Sequence, residues 1–129
     1  MKNGTRRNVV AKILIVEDDS DFQDIYALYL QGESHQVLTA CNGKEGLAIL
    51  EKETPDLIIL DLIMPVMDGE EFYVRLREQA KWRHIPVLIA SVNDKMPSRV
   101  IELGGIAGSL KKPFKIEAFL EKIRESLKQ

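Results

Sequence analysis

Three of the acidic groups in this chain stand where apolar runs stop. Glu17, Asp18 and Asp19 close Ile13-Leu14-Ile15-Val16, Asp61 closes Leu57-Ile58-Ile59-Leu60, and Asp68 follows Met64-Pro65-Val66-Met67. Lys112 comes directly after another strand-like segment, 106–111. Carboxylates gathered at neighbouring strand ends repel one another unless a cation joins them, and a hard divalent ion prefers oxygen ligands of this kind. This predicts a divalent-metal site with one carboxylate left over for chemistry.

Such a site needs a sheet to hold it. Continuous β-branched and leucine runs predict strands buried on both faces, as in a parallel sheet, where ligands collect at the carboxyl ends of the strands. Strand-like and helix-like stretches alternate five times. Strands are expected at Lys12–Val16, 35–40, 56–61, Val87–Ser91 and Ile106–Lys111. Between them, Ser20 is expected to cap a first helix, with Gln23 in the capping-box position and Gly32 as its stop. Phe22, Ile25, Tyr26 and Tyr29 fall at helical spacing and predict one apolar face. A second helix follows Asn42-Gly43 and carries Leu47, Ile49 and Leu50. A third, over 70–80, turns Phe72, Leu76 and Tyr73 inward, a short one spans 97–103, and Ile116–Leu127 is the last. Pro65 and Gly69 mark the segment between Asp61 and the third helix as a loop. This alternation implies right-handed βαβ crossovers and a doubly wound α/β fold with helices on both faces.

Composition sets the outer limits. At 129 residues, with 45% hydrophobic and 29% charged residues, the chain suits one domain with a substantial core. We divide it into an N-terminal extension, 1–10, and a folded domain, 11–129. A formal net charge of -2 gives no general attraction to nucleic acid or to an anionic membrane. No apolar stretch is long enough to span a bilayer, no signal-peptide core follows the basic N-terminus, and one cysteine cannot form an internal disulfide; together these point to the cytoplasm. Cys41 itself reads as a small buried hydrophobe at a strand end.

The segments Ile-Leu-Ile-Val-Glu-Asp-Asp (13–19), Asp-Leu-Ile-Met-Pro-Val-Met-Asp-Gly (61–69), Ile-Pro-Val-Leu-Ile-Ala-Ser (85–91) and Lys-Lys-Pro-Phe (111–114) together resemble the receiver domain of two-component response regulators, the CheY-like superfamily. The resemblance runs over nearly the whole chain, in order and at the family's spacing. It implies the flavodoxin-like (βα)5 architecture with strand order 2-1-3-4-5. It also implies that Asp61 accepts a phosphoryl group from a kinase phosphohistidine, with Mg²⁺ (or Mn²⁺) as cofactor. By the same resemblance Asp18 is a direct metal ligand, Glu17 acts through a bound water, and Asp61 and the backbone carbonyl of Ile63 complete the protein's share. Lys112 would pair with the acidic site and then with the phosphoryl oxygens, with a cis bond to Pro113, and Ser91 would be the switch hydroxyl. The implied partners are a sensor histidine kinase or histidine phosphotransfer protein, a downstream target or fused output domain, and a second copy through the face of the fourth helix, fifth strand and fifth helix. No nucleic acid or membrane contact is implied for this chain.

Residues outside that set have plainer readings. Asp19 and Asp68 are expected at helix starts, where negative charge is favourable. Lys111 points to the opposite face of its strand from Lys112 and reads as a solvated charge. His35 and His84 read as structural or surface residues, Trp82 as a cover on the core edge, and Gly104 to Lys112 lacks the spacing of a phosphate-binding loop.

The chain departs from the family at Ser109, three residues before Lys112, where receivers usually carry Tyr, Phe or His. A serine cannot fill the space of a rotating aromatic, so output is expected through the 92–97 loop and the short helix after it. Val92 and Ile63 are expected to restrict water around the acceptor. Two other functions compete. A phosphohydrolase working through an aspartyl phosphate would need a second carboxylate two residues after the nucleophile, and Ile63 stands there, so turnover of an outside substrate is not expected. The alternative is a receiver-like protein-interaction module with weak or no phosphorylation-dependent switching.

Overall fold

A computed structural model describes residues 10–93 and 95–128. The expected extension, 1–10, therefore lies outside the described residues except for Val10, which is exposed. Five strands, β1 (Lys12–Val16), β2 (Gln36–Ala40), β3 (Leu57–Leu60), β4 (Val87–Ser91) and β5 (Ile106–Lys111), alternate with five helices, α1 (Ser20–Gly32), α2 (Gly43–Leu50), α3 (Gly69–Glu78), α4 (Ser98–Leu103) and α5 (Ile116–Leu127). A 3₁₀ turn, Ala80–Trp82, precedes β4. All neighbouring strands are parallel, in the order β2-β1-β3-β4-β5. This is the flavodoxin-like topology that the alternation and the resemblance predict.

The pleat sorts side chains by parity. Leu14, Val16, Ile58, Leu60, Val87 and Ile89 face one side and pack with Leu50, Phe72, Leu76 and Val100 from α2, α3 and α4. Ile13, Ile15, Leu57, Ile59, Leu88 and Ala90 face the other and pack with Tyr26, Leu30, Phe119 and Ile123 from α1 and α5. With both faces covered, β1, β3 and β4 are almost wholly buried, and their carboxyl ends are fixed in register: Val16 pairs with Leu60, and Leu60 with Ile89.

Several local expectations are corrected. Asp19, not Ser20, is the N-cap of α1; its carboxylate accepts from the N–H groups of Asp21 and Phe22. Gln23 makes no capping box and instead donates to the carbonyls of Glu17 and Ala40. The third strand ends at Leu60, and neither Asp56 nor Asp61 belongs to it. On α1 the buried stripe is Tyr26 and Leu30 with Phe22 half-buried, which leaves Ile25, Leu28 and Tyr29 exposed. Cys41 is exposed rather than buried, because it lies past the end of β2 in the turn to α2 and its Sγ donates to Glu45. Trp82 and His35 behave as expected. Trp82 closes the core beside Ile85, and the Nδ1 of His35 accepts the Ala11 N–H at 3.1 Å.

Candidate functional site

The site is built at the carboxyl ends of β1 and β3, and backbone bonds set its frame. The N–H of Asp61 donates to the Val16 carbonyl and that of Glu17 to the Ala40 carbonyl, both at 3.0 Å. The Gln23 amide bridges the carbonyls of Glu17 and Ala40, so the turn out of β1 is tied to the end of β2 by a side chain of α1.

On the other side, the loop after Asp61 is drawn tight. Asp68 caps α3 by accepting the Glu71 N–H at 2.9 Å, as its placement before a helix predicts. Gly69 donates to the Leu62 carbonyl, and a Cβ on Gly69 would stand 2.3 Å from the Asp61 carbonyl oxygen, so no larger residue fits there. The loop carries one backbone outlier, Val66 at φ 67, an exposed β-branched residue in the left-handed region.

Within this frame Glu17, Asp18 and Asp61 converge. One oxygen of each lies within 4.8 Å of the others; Glu17 and Asp61 are buried and Asp18 is exposed. Lys112 enters from β5, almost fully buried, and donates to Glu17 Oε1 at 2.6 Å and to Asp61 Oδ2 at 3.4 Å. The remaining oxygens are also held: Asp61 Oδ1 by the Ile63 N–H at 3.2 Å, Glu17 Oε2 by the Asp19 N–H at 3.1 Å. Burial pushes the Glu17 carboxyl up to about 7, against the opposing pull of the Lys112 hydrogen bond. Three hard oxygen donors with one face open at Asp18 fit a divalent cation such as Mg²⁺, which keeps part of its water shell. The peptide between Lys112 and Pro113 is cis, as the resemblance implies, and Lys111 is exposed.

Ser91 is buried at the end of β4, where its carbonyl accepts the Lys112 N–H at 2.8 Å. Its hydroxyl accepts the Asn93 N–H at 3.5 Å and stands outside the hydrogen-bonded set of Lys112, Glu17 and Asp61. Ser109 is exposed, and beside it a cavity of about 240 Å³ is lined by Ile89, Asn93, Met96, Leu110 and Lys111. The unfilled volume is what a serine in place of an aromatic predicts. Ile63 and Val92, expected to restrict water, both present exposed side chains.

Two groups of residues escape sequence reasoning. Phe22 lies beneath the Lys112 ammonium, with Nζ 4.1 Å from the ring centroid. Farther away, the buried Arg77 of α3 donates to the carbonyls of Arg83, Ile85 and Gly105 and to the Tyr73 hydroxyl, and that hydroxyl donates to the Gly104 carbonyl. No spacing rule announces the contact of Phe22 with Lys112, or those of Tyr73 and Arg77 with Gly104 and Gly105, because they join residues far apart in the chain.

A doubly wound parallel sheet with three carboxylates and a buried lysine at its carboxyl edge defines a receiver module of two-component signalling. Residues 13–124 match the family described as response regulator receiver domain, and the chain belongs to that family. It is 33% identical to Protein PilH of Pseudomonas aeruginosa over 92% of this chain and 98% of PilH. It is 32% identical to the DNA-binding dual master transcriptional regulator RpaA of Synechocystis, covering 92% of this chain but only 49% of RpaA, so it spans about half the length of that relative. Among solved structures, the chemotaxis protein CheY4 of Vibrio cholerae superposes with a TM-score of 0.83 at 33% identity, covering 92% of this chain and all of that one. Among the described residues no helix is long and apolar enough to cross a membrane.

Proposed function

We propose that the protein is a phosphorylation-dependent signalling receiver in which Asp61 takes a phosphoryl group from the phosphohistidine of a sensor kinase or a histidine phosphotransfer protein. The observation that carries this is the placement of a buried Asp61 carboxylate within reach of Lys112 and beside two further carboxylates. An Asp61 oxygen attacks phosphorus; the O–P bond forms as the P–N bond to the donor imidazole breaks, and the electron pair leaves with the ring nitrogen. Asp18 and Asp61, with Glu17 through water and the Ile63 carbonyl, would hold Mg²⁺ or Mn²⁺, which supplies charge neutralisation at the phosphoryl oxygens. Lys112 offsets the charge that builds beside the acceptor.

The module turns over no outside substrate in this reading, and it works in the cytoplasm. Exposed Ile25, Leu28 and Tyr29 on α1 offer an apolar strip for the phosphoryl donor. Output runs through the 92–97 loop and α4, whose Ile101 and Leu103 are exposed, toward a downstream protein, a fused output domain or a second copy on the α4–β5–α5 face. The cavity beside Ser109 favours one competing reading, an interaction module that binds without a phosphorylation switch.

Intact-mass measurement after incubation with Mg²⁺ and a small acyl phosphate separates the two. A gain of one phosphoryl group in wild type and none in Asp61→Asn supports the receiver; no gain in either protein leaves the interaction module.

A further inference from the structure

We infer that Phe22 is a positioning residue for Lys112, and that its ring holds the ammonium beside the acceptor when Glu17 no longer does. This deepens the proposed function and rests on Asp61 as the phosphoryl acceptor. The Lys112 side chain is 4% exposed, so its charge is largely shielded from water. Two of its contacts are Glu17 Oε1 and Asp61 Oδ2; the third is the Phe22 ring, 4.1 Å from Nζ to the centroid. A cation this close to an aromatic ring, and shielded from water, is attracted by the ring's electron distribution.

The ring is itself held by its neighbour on α1, Tyr26. Phe22 packs against Tyr26 at 5.8 Å, and Tyr26 stacks on Phe114 at 5.9 Å and on Phe119 at 4.9 Å. Phe114 follows Lys112 by two residues and stacks on Tyr26, so the segment that delivers the ammonium supports the ring through Tyr26. The Phe22 N–H is fixed by the Asp19 cap.

The need for such support follows from the distances. Lys112 sits closer to Glu17 than to Asp61, yet charge builds at Asp61 when its oxygen bonds to phosphorus and the donor's bond to phosphorus breaks. Positive charge brought among the three carboxylates weakens Glu17's hold on the ammonium. The ring's attraction does not depend on Glu17 and persists through that exchange. An aliphatic side chain would leave a buried ammonium facing a purely apolar wall, which is costly.

The test compares Phe22→Leu, which keeps an apolar side chain, with Phe22→Tyr, which keeps the ring. Phosphorylation by a small acyl phosphate with Mg²⁺ should slow by about three- to thirty-fold in Phe22→Leu and by less than about twofold in Phe22→Tyr, a spread matching a desolvated cation–ring contact. Rescue of the rate by Phe22→Tyr is the readout that lost apolar packing alone would not give, and NMR of the Lys112 side chain reports the contact itself. Its ε-methylene protons should be shifted upfield by the ring in wild type and Phe22→Tyr, and return to ordinary lysine values in Phe22→Leu. A wild-type rate in folded Phe22→Leu, or unshifted Lys112 protons in wild type, overturns the inference. The wild-type spectrum decides even if Phe22→Leu does not fold. Failure of wild type to take up phosphate would instead overturn the acceptor assignment, which the Lys112 spectrum does not depend on.

Discussion

Lys112 lies 2.6 Å from Glu17, so the most deeply buried carboxylate of the site is already engaged with the lysine. Burial nevertheless outweighs that contact and raises the Glu17 carboxyl to about 7, from 4.5. A group raised in the folded state contributes stability that is fully present below 4.5 and is lost as pH rises through about 7. In the presence of a chelator, the melting temperature of wild type should therefore fall between pH 5 and pH 8 relative to Glu17→Gln, by on the order of a few degrees. Parallel melting-temperature profiles for the two proteins across that window would refute this.

The Arg77 guanidinium is buried with no carboxylate among its hydrogen-bond partners; three main-chain carbonyls and a tyrosine hydroxyl surround it. Replacing it with Met leaves those acceptors without donors, at an expected cost of about 2–4 kcal/mol. Arg75, two residues earlier, pairs among the described residues only with exposed Glu71, so Arg75→Met should cost less than about 1 kcal/mol. Urea unfolding of both variants checks the contrast, and equal losses would contradict it.

Val66 holds φ at 67 in a loop whose side chain points to solvent. A β-branched residue resists that conformation, whereas asparagine tolerates it. Val66→Asn should therefore gain about 1 kcal/mol, read as a higher urea midpoint at unchanged slope. A lower midpoint would mean that Val66 makes a contact worth more than the strain.

The strands could be read from sequence because β1, β3 and β4 are buried on both faces, and burial of that kind leaves an unbroken apolar run. The meeting of carboxylates from two strand ends followed from the same runs, while the place of Lys112 beside Asp61 was implied by the family resemblance. Helix detail was less legible. Asp19 and Ser20 are both good caps, and only the extended backbone of Asp19 decides between them. The apolar spacing of α1 exceeds the stripe that β1 and α5 can cover, so Ile25 and Tyr29 remain outside. Cys41 sits past the last pleat of β2, where alternation no longer says which way a side chain turns. The contacts of Phe22 with Lys112, and of Arg77 with Gly105, depend on the folded path of the whole chain.

The Gly104-Gly105 pair gives α4 its mechanical character. Gly104 ends that helix with φ 70 and offers its carbonyl to Tyr73; Gly105, at φ 84, lies so near Arg77 that a Cβ would fall 2.8 Å from the guanidinium. The opposite end, at Pro97, has no side-chain cap. Between those ends Val100 is buried in the core, so this six-residue rod is held at its middle and at its glycine end while Ile101 and Leu103 stay at the surface. In the proposed output route, a displacement from β4 would therefore meet α4 at its uncapped end, and the core contact of Val100 would limit how far Ile101 and Leu103 follow.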